Sequence, residues 1–143
     1  MQCKFNTLAV QVKRGVLFTR HETEGARLRN PFDTVTEGVG LNRLTRNFKM
    51  AAIDDAVTCS DQEAVDMAQH LLHREGLWVG SSSAVNCVGA VKCARSLGRG
   101  HTVVTILCDG GRRHLSKFHN ADFLAQHGLQ LQTPRNDLGW IGT

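Results

Sequence analysis

The turn Gly80-Ser81-Ser82-Ser83 constrains this chain more than any other stretch. Leu77-Trp78-Val79 before it reads as a short apolar strand, Ala84 to Leu97 after it as a helix, and His101 to Leu107 as a further strand. A strand that runs into a Gly/Ser turn opening a helix gathers backbone N–H groups and hydroxyls at the strand's carboxyl end. Open α/β sheets bind their ligands there. The chemistry is therefore sought on that rim.

The flanking elements extend the pattern. Ala56-Val57-Thr58-Cys59 has the β-branching and length of a strand. Ser60 and Glu63 have capping-box spacing, and Ala64, Val65, Ala68, Leu71 and Leu72 then mark one face of a helix that Gly76 ends. Val103 to Leu107 is nearly continuous apolar and β-branched, as a strand buried on both faces should be. Strand, helix, strand, helix, strand in this rhythm predicts right-handed βαβ units around a parallel sheet. Because parallel strands point one way, Cys108-Asp109-Gly110-Gly111 should open on the same rim as the serine turn, so that Ser82 and Asp109 face one crevice.

Upstream, Val10 and Val12, then Val16-Leu17-Phe18, are compatible with strand, and Thr19 with Glu22 could cap a short exposed helix running to Arg29. Thr36-Glu37-Gly38-Val39-Gly40 is a glycine loop that lets backbone approach a ligand, although an ordinary turn has the same composition. Leu41 to Met50 reads as helical, Leu115 to Leu131 as one or two short helices, and Thr133 to Thr143 as a frayed tail.

Composition excludes several classes. The 143 residues suit one ordinary domain, with 41% hydrophobic residues to fill a core. No apolar run approaches the roughly 20 residues that cross a bilayer, and the first ten residues lack the pattern of a signal peptide. The expectation is a soluble, cytoplasmic chain. The 17 Lys and Arg are interleaved with 13 acids, and Tyr is absent, so the basic stripe with aromatics that nucleic-acid binding needs is missing. Five cysteines without a C-x-x-C pair indicate neither a zinc site nor a disulfide framework, and read as reduced thiols. His70 and His73 are read as solvent-facing, and Cys108 as a small buried residue.

Three motifs in order are similar to a known family. Glu37-Gly38-Val39-Gly40, then Glu75-Gly76-Leu77-Trp78-Val79-Gly80-Ser81-Ser82-Ser83-Ala84, then Val103-Val104-Thr105-Ile106-Leu107-Cys108-Asp109-Gly110-Gly111 resemble the C-terminal half of cysteine synthase and cystathionine β-synthase enzymes. Arg27 to Thr34 resembles the fungal cysteine synthase-like branch. The resemblance implies a partial α/β fold, namely the three-layer parallel-sheet domain of the tryptophan synthase β-like, pyridoxal 5'-phosphate-dependent class without its N-terminal lobe. It gives residues 1–35 as a poorly defined segment, 36–131 as the C-terminal domain and 132–143 as a tail.

Carried over by position, the resemblance implies that Ser82 hydrogen-bonds the pyridine nitrogen of pyridoxal phosphate. Gly38 and Gly40 would line the cofactor and substrate face, and Asp109 would sit near the pyridine end. Without the resemblance Ser82 reads as a helix N-cap and Asp109-Gly110-Gly111 as a plain turn. Ala84, Cys108 and Gly110 depart from the family's glycine, proline and serine at those places.

The family's Schiff-base lysine and phosphate cradle fall upstream of the first motif, and neither Lys4 nor Lys13 has the setting for that role. The implied complete enzyme is a homodimer acting on a small amino-acid substrate, converting O-acetylserine and sulfide to cysteine and acetate. It would be cytoplasmic, with a mitochondrial full-length form as the other location. The chain by itself is expected to be inactive. Two other readings stand beside this: a truncated non-catalytic paralogue serving as an interaction module, and a related lyase such as cystathionine β-synthase or serine dehydratase.

Overall fold

Ser60 starts the first helix by the reciprocal bonds that its spacing to Glu63 predicts. The Ser60 hydroxyl accepts from the Glu63 N–H at 3.2 Å, and the Ser60 N–H donates to the Glu63 carboxylate at 2.7 Å. The computed structural model describes residues 8–12, 34–39, 46, 50, 54–132 and 137–142. Helix α1, Asp61–His70, runs on through a π-helical segment, Leu71–Glu75, and stops at Gly76 with φ 68°. Only glycine adopts that left-handed conformation without strain.

Helix α2, Ser81–Leu97, begins three residues earlier than the sequence suggests, because Gly80 itself takes the N-cap position. The serines therefore form the helix's first turn. Ala64, Val65 and Ala68 of α1 and Ala84, Val85 and Val88 of α2 belong to one buried cluster, which Phe118, Leu124, Ile141, Val35 and Cys59 complete. The alanines at these positions let two helices approach closely. A short 3₁₀ turn, Gly111–His114, and helix α3, Ala121–Gln126, follow; the Asn120 side chain caps α3 by accepting from the Phe123 N–H at 2.8 Å.

Strands β1, Leu8–Val12, and β2, Asp55–Cys59, pair in parallel from Leu8 opposite Asp55 to Val12 opposite Cys59. Both were expected as strand. The other two expected strands differ. Leu77-Trp78-Val79 is reduced to one antiparallel bridge, Val79 to Gly110. His101 to Leu107, expected to be buried on both faces, forms no ladder among the described residues and exposes Val104 and Ile106 at 86% and 70%. The β-branched run specifies an environment with strands on either side, and a strand becomes one only when those neighbours are present.

Of the segment expected to fray, residues 138–142 are tied down. Arg95 of α2 donates to the carbonyls of Ile141 and Leu138 at 2.8 and 2.7 Å, Gly142 N–H donates to Glu63 at 2.9 Å, and Ile141 is buried. An apolar side chain near a terminus suffices to dock it when helix side chains satisfy the adjoining carbonyls. The expected strand at Val16 to Phe18 and helix at Thr19 to Arg29 lie outside the described residues. Of the expected helix at Leu41 to Met50, Arg46 and Met50 are described, and both are helical.

Candidate functional site

The serine turn meets the Asp109 loop through backbone. Gly80 N–H donates to Asp109 C=O at 2.8 Å, and Gly111 N–H donates to Trp78 C=O at 3.1 Å. The two segments run antiparallel here, so the shared rim arises from this bridge and not from adjacent parallel strands as the sequence suggested. Glycine at 80 is required by space: a Cβ would fall on the Asp109 carboxylate and the His114 ring. Gly111 is required likewise, since its Cβ would overlap the Trp78 indole.

The three serines divide their work. Ser81, fully buried, accepts the Glu37 N–H at 3.2 Å, which fastens the 34–39 loop to the helix start. Ser83, also buried, accepts the Cys108 N–H at 2.8 Å and faces the Asp109 carbonyl. Ser82 lies between them, half-buried, and its hydroxyl makes no hydrogen bond among the described residues. It is not the helix N-cap, because Gly80 holds that position.

Ser82 lines a hollow of about 440 Å³ with Asp109, Gly38 and Glu37. Cys108, Arg113 and His114 also line it. The structure thus brings together Ser82, Asp109 and Gly38, three of the residues singled out from sequence. Gly40 lies outside the described residues. Gly38 has φ 80°, so its glycine is demanded by backbone conformation, with nothing crowding the place of a side chain. Cys108 is exposed, contrary to expectation, because the segment before it is uncovered.

His114 was not anticipated. The 3₁₀ turn folds it back so that its Nε2 lies 2.9 Å from Asp109 Oδ2, while the ring itself is 5% exposed. The hydrogen bond from His114 is the main reason the Asp109 carboxyl lies below its ordinary range, with the His114 and Arg113 charges adding to it against burial. The available signal was a histidine five residues after the aspartate of a Gly-Gly turn, which carries meaning only once the turn is known to close. Lys117 pairs with Glu37 at 2.8 Å and holds its carboxyl below the usual range, mainly through that hydrogen bond, tying the 34–39 loop to the segment that follows the 3₁₀ turn. Next to the site, burial lowers the affinity of His119 for a proton. Its Nε2 lies 2.9 Å from the Val79 carbonyl, which can only accept, so that nitrogen carries the hydrogen.

Among the described residues no group of three or more His, Cys, Asp or Glu side chains could hold a metal, and no helix is long and apolar enough to cross a membrane. His73 is exposed and His70 half-buried.

A family model described as pyridoxal-phosphate dependent enzyme matches residues 3–109. The chain belongs to this family. Among curated relatives, cysteine synthase 2 of Schizosaccharomyces pombe is 51% identical over 126 residues, 87% of this chain and 32% of that protein. A putative mitochondrial cysteine synthase of Saccharomyces cerevisiae is 43% identical over 85% of this chain and 32% of its own length. An O-acetylserine dependent cystathionine β-synthase of Helicobacter pylori superposes with TM-score 0.65 at 32% identity, covering 77% of this chain and 33% of that one. The chain therefore spans about a third of the relatives it matches, and its architecture is part of the tryptophan synthase β-like fold of these pyridoxal-phosphate-dependent enzymes.

The residues present fit the ring end of such a cofactor. The hollow offers one neutral hydroxyl at its wall, that of Ser82, without a hydrogen-bond partner among the described residues, and the nearby carboxylate is already engaged by His114.

Proposed function

We propose that these residues form the cofactor-ring half of a pyridoxal-phosphate-dependent cysteine synthase, joining O-acetylserine and sulfide into cysteine with release of acetate. The observation that carries this reading is the Ser82 hydroxyl in the wall of the hollow, without a hydrogen-bond partner among the described residues, while Ser81 and Ser83 on either side are engaged. Ser82 would donate to the pyridine nitrogen, and Gly38 would present backbone to the cofactor and substrate. Gly40, two residues on, is assigned to the same loop. Asp109, fixed to His114, would shape the wall near the pyridine end without protonating the ring. Bound there, the cofactor supplies the electron sink for elimination at the β carbon of an amino acid.

As a polypeptide of these 143 residues, the chain is assigned no activity of its own. The matched third supplies the ring wall, and the lysine that anchors the cofactor belongs to the part of the family fold not spanned. The functional unit is residues 36–131, and the complete enzyme is assigned as a cytoplasmic homodimer taking a small amino-acid substrate. The Helicobacter relative, an O-acetylserine dependent cystathionine β-synthase, supports a second reading, in which the complete enzyme is a cystathionine β-synthase.

Binding of pyridoxine 5'-phosphate, followed by equilibrium dialysis, tests the site directly. The expected result is saturable binding that Ser82→Ala weakens about 5- to 10-fold, the worth of one neutral hydrogen bond, with the melting temperature unchanged. Equal binding by Ser82→Ala would overturn the role of Ser82. Cysteine formation by the purified chain with pyridoxal phosphate, O-acetylserine and sulfide would overturn the assignment of a partial site.

A further inference from the structure

The 34–39 loop brings Gly38 to the wall of the hollow, yet a carboxylate outside that wall holds the start of the loop. Asp61, the first residue of α1 and two positions past the end of β2, accepts from three groups 25 to 27 positions upstream. Thr34 Oγ1 donates to its Oδ1 at 2.6 Å, Val35 N–H donates to its Oδ2 at 3.4 Å, and Thr36 Oγ1 reaches Oδ1 at 3.5 Å. The Thr34 hydroxyl also accepts the Thr36 N–H at 3.1 Å, so three consecutive residues close around one carboxylate. Val35 and Thr36 are buried beneath this contact.

Glu37 alone separates this contact from Gly38. Gly38 has φ 80° and nothing packed where a side chain would stand, and glycine by itself visits many backbone conformations. Among the described residues its place is therefore set by what holds the residues before it: Asp61 at the start of α1, and Ser81 at the start of α2, which accepts the Glu37 N–H. The Lys117–Glu37 pair is exposed on both sides and adds little, because water and salt screen such pairs. A wall ordered in advance binds more tightly, since the ligand need not order it.

We propose that Asp61 is a positioning residue for the ligand face of the hollow: by gathering Thr34, Val35 and Thr36 it fixes where the Gly38 backbone stands. It acts at one remove, through two hydroxyls and an amide of the loop. The inference deepens the cofactor reading and rests on it for the identity of the ligand.

Equilibrium dialysis with pyridoxine 5'-phosphate, together with amide hydrogen exchange, tests the proposal. Asp61→Asn keeps the shape of the side chain and removes one acceptor oxygen, and it should weaken binding about 3- to 10-fold, the worth of one side-chain hydrogen bond. Thr34→Val should do the same, while Thr34→Ser, which keeps the hydroxyl, should bind as the parent does. Asp61→Asn combined with Thr34→Val should bind no more weakly than either alone, because both break one contact. The Glu37 amide gives a readout that a merely structural role would not move. Its acceptor, Ser81, is untouched by these substitutions, yet it should exchange faster in Asp61→Asn and in Thr34→Val. The inference is overturned if both variants lower the melting temperature but leave binding and Glu37 exchange as in the parent, or if Thr34→Ser binds as weakly as Thr34→Val. Binding that Ser82→Ala weakens and Asp61→Asn leaves unchanged overturns this inference alone. No binding by the parent chain overturns the cofactor reading and this inference with it.

Discussion

Gly80→Ala probes the contact that assembles the site. Gly80 has φ −78° and ψ 173°, a conformation open to alanine, so backbone strain contributes nothing. Replacing glycine in such a conformation normally stabilises by about 0.4–1 kcal/mol through the unfolded chain. Against this, the new Cβ would lie 2.7 Å from His114 Nε2 and 2.9 Å from its Cδ2, well inside van der Waals contact, and would also strike the Asp109 carboxylate. His114 is 5% exposed and has Phe118 at its edge, so it has little room to retreat. Overpacking of this kind costs about 1–3 kcal/mol, and losing the half-exposed Asp109 to His114 bond adds roughly 0.5–1 kcal/mol. The net expectation is a destabilisation of about 2 kcal/mol, read by urea unfolding under two-state conditions. Gly110→Ala is the control, because its φ of −80° is open to alanine and its Cβ would meet only the Trp78 carbonyl at an ordinary 3.8 Å, so it should be neutral or stabilising by up to about 1 kcal/mol. In a His114→Ala background the cost of Gly80→Ala should shrink. Equal stability of the Gly80→Ala and Gly110→Ala proteins would refute the reasoning.

Glu63 joins Ser60 N–H, Lys92 at 2.9 Å and Gly142 N–H; burial acts to raise its carboxyl, but these partners outweigh it and hold it below the ordinary 4.5. A depressed carboxylate contributes stability that is present above that ordinary value and disappears as pH falls through the lower folded one. Glu63→Gln should therefore cost about 1–3 kcal/mol at pH 7 and flatten the acid limb of a stability-against-pH curve, whereas an unchanged limb would count against the network. Thiol labelling at pH 7.5 should modify exposed Cys108 quickly and leave Cys59 intact, because burial pushes the Cys59 thiol up to about 12; mass mapping that finds Cys59 labelled in the folded protein would contradict its placement.

The capped helix was legible because its information is local. Ser60, Glu63 and the apolar positions through Leu72 specify α1 within one stretch of chain, and Gly76 ends it with a backbone conformation that no distant residue needs to supply. Ser82 and Asp109 were legible as members of one rim, but for a reason other than the one the pattern suggested. His114 was not legible, since its role depends on a turn closing onto a bridge between residues about thirty positions apart.

Taken alone, the order of residues determined that α1 and α2 are helical, where they stop, and which family the three motifs resemble; capping, periodicity and glycine conformation act over a few residues and need no partner. Only the tertiary structure decided that, among the described residues, Ser82 is the serine of the turn without a hydrogen-bond partner, that Asp109 is held by His114, and that Val104 and Ile106 of the most strand-like run are exposed. Those outcomes are settled by which neighbours are present in space, and a buried strand and an exposed one can share the same letters.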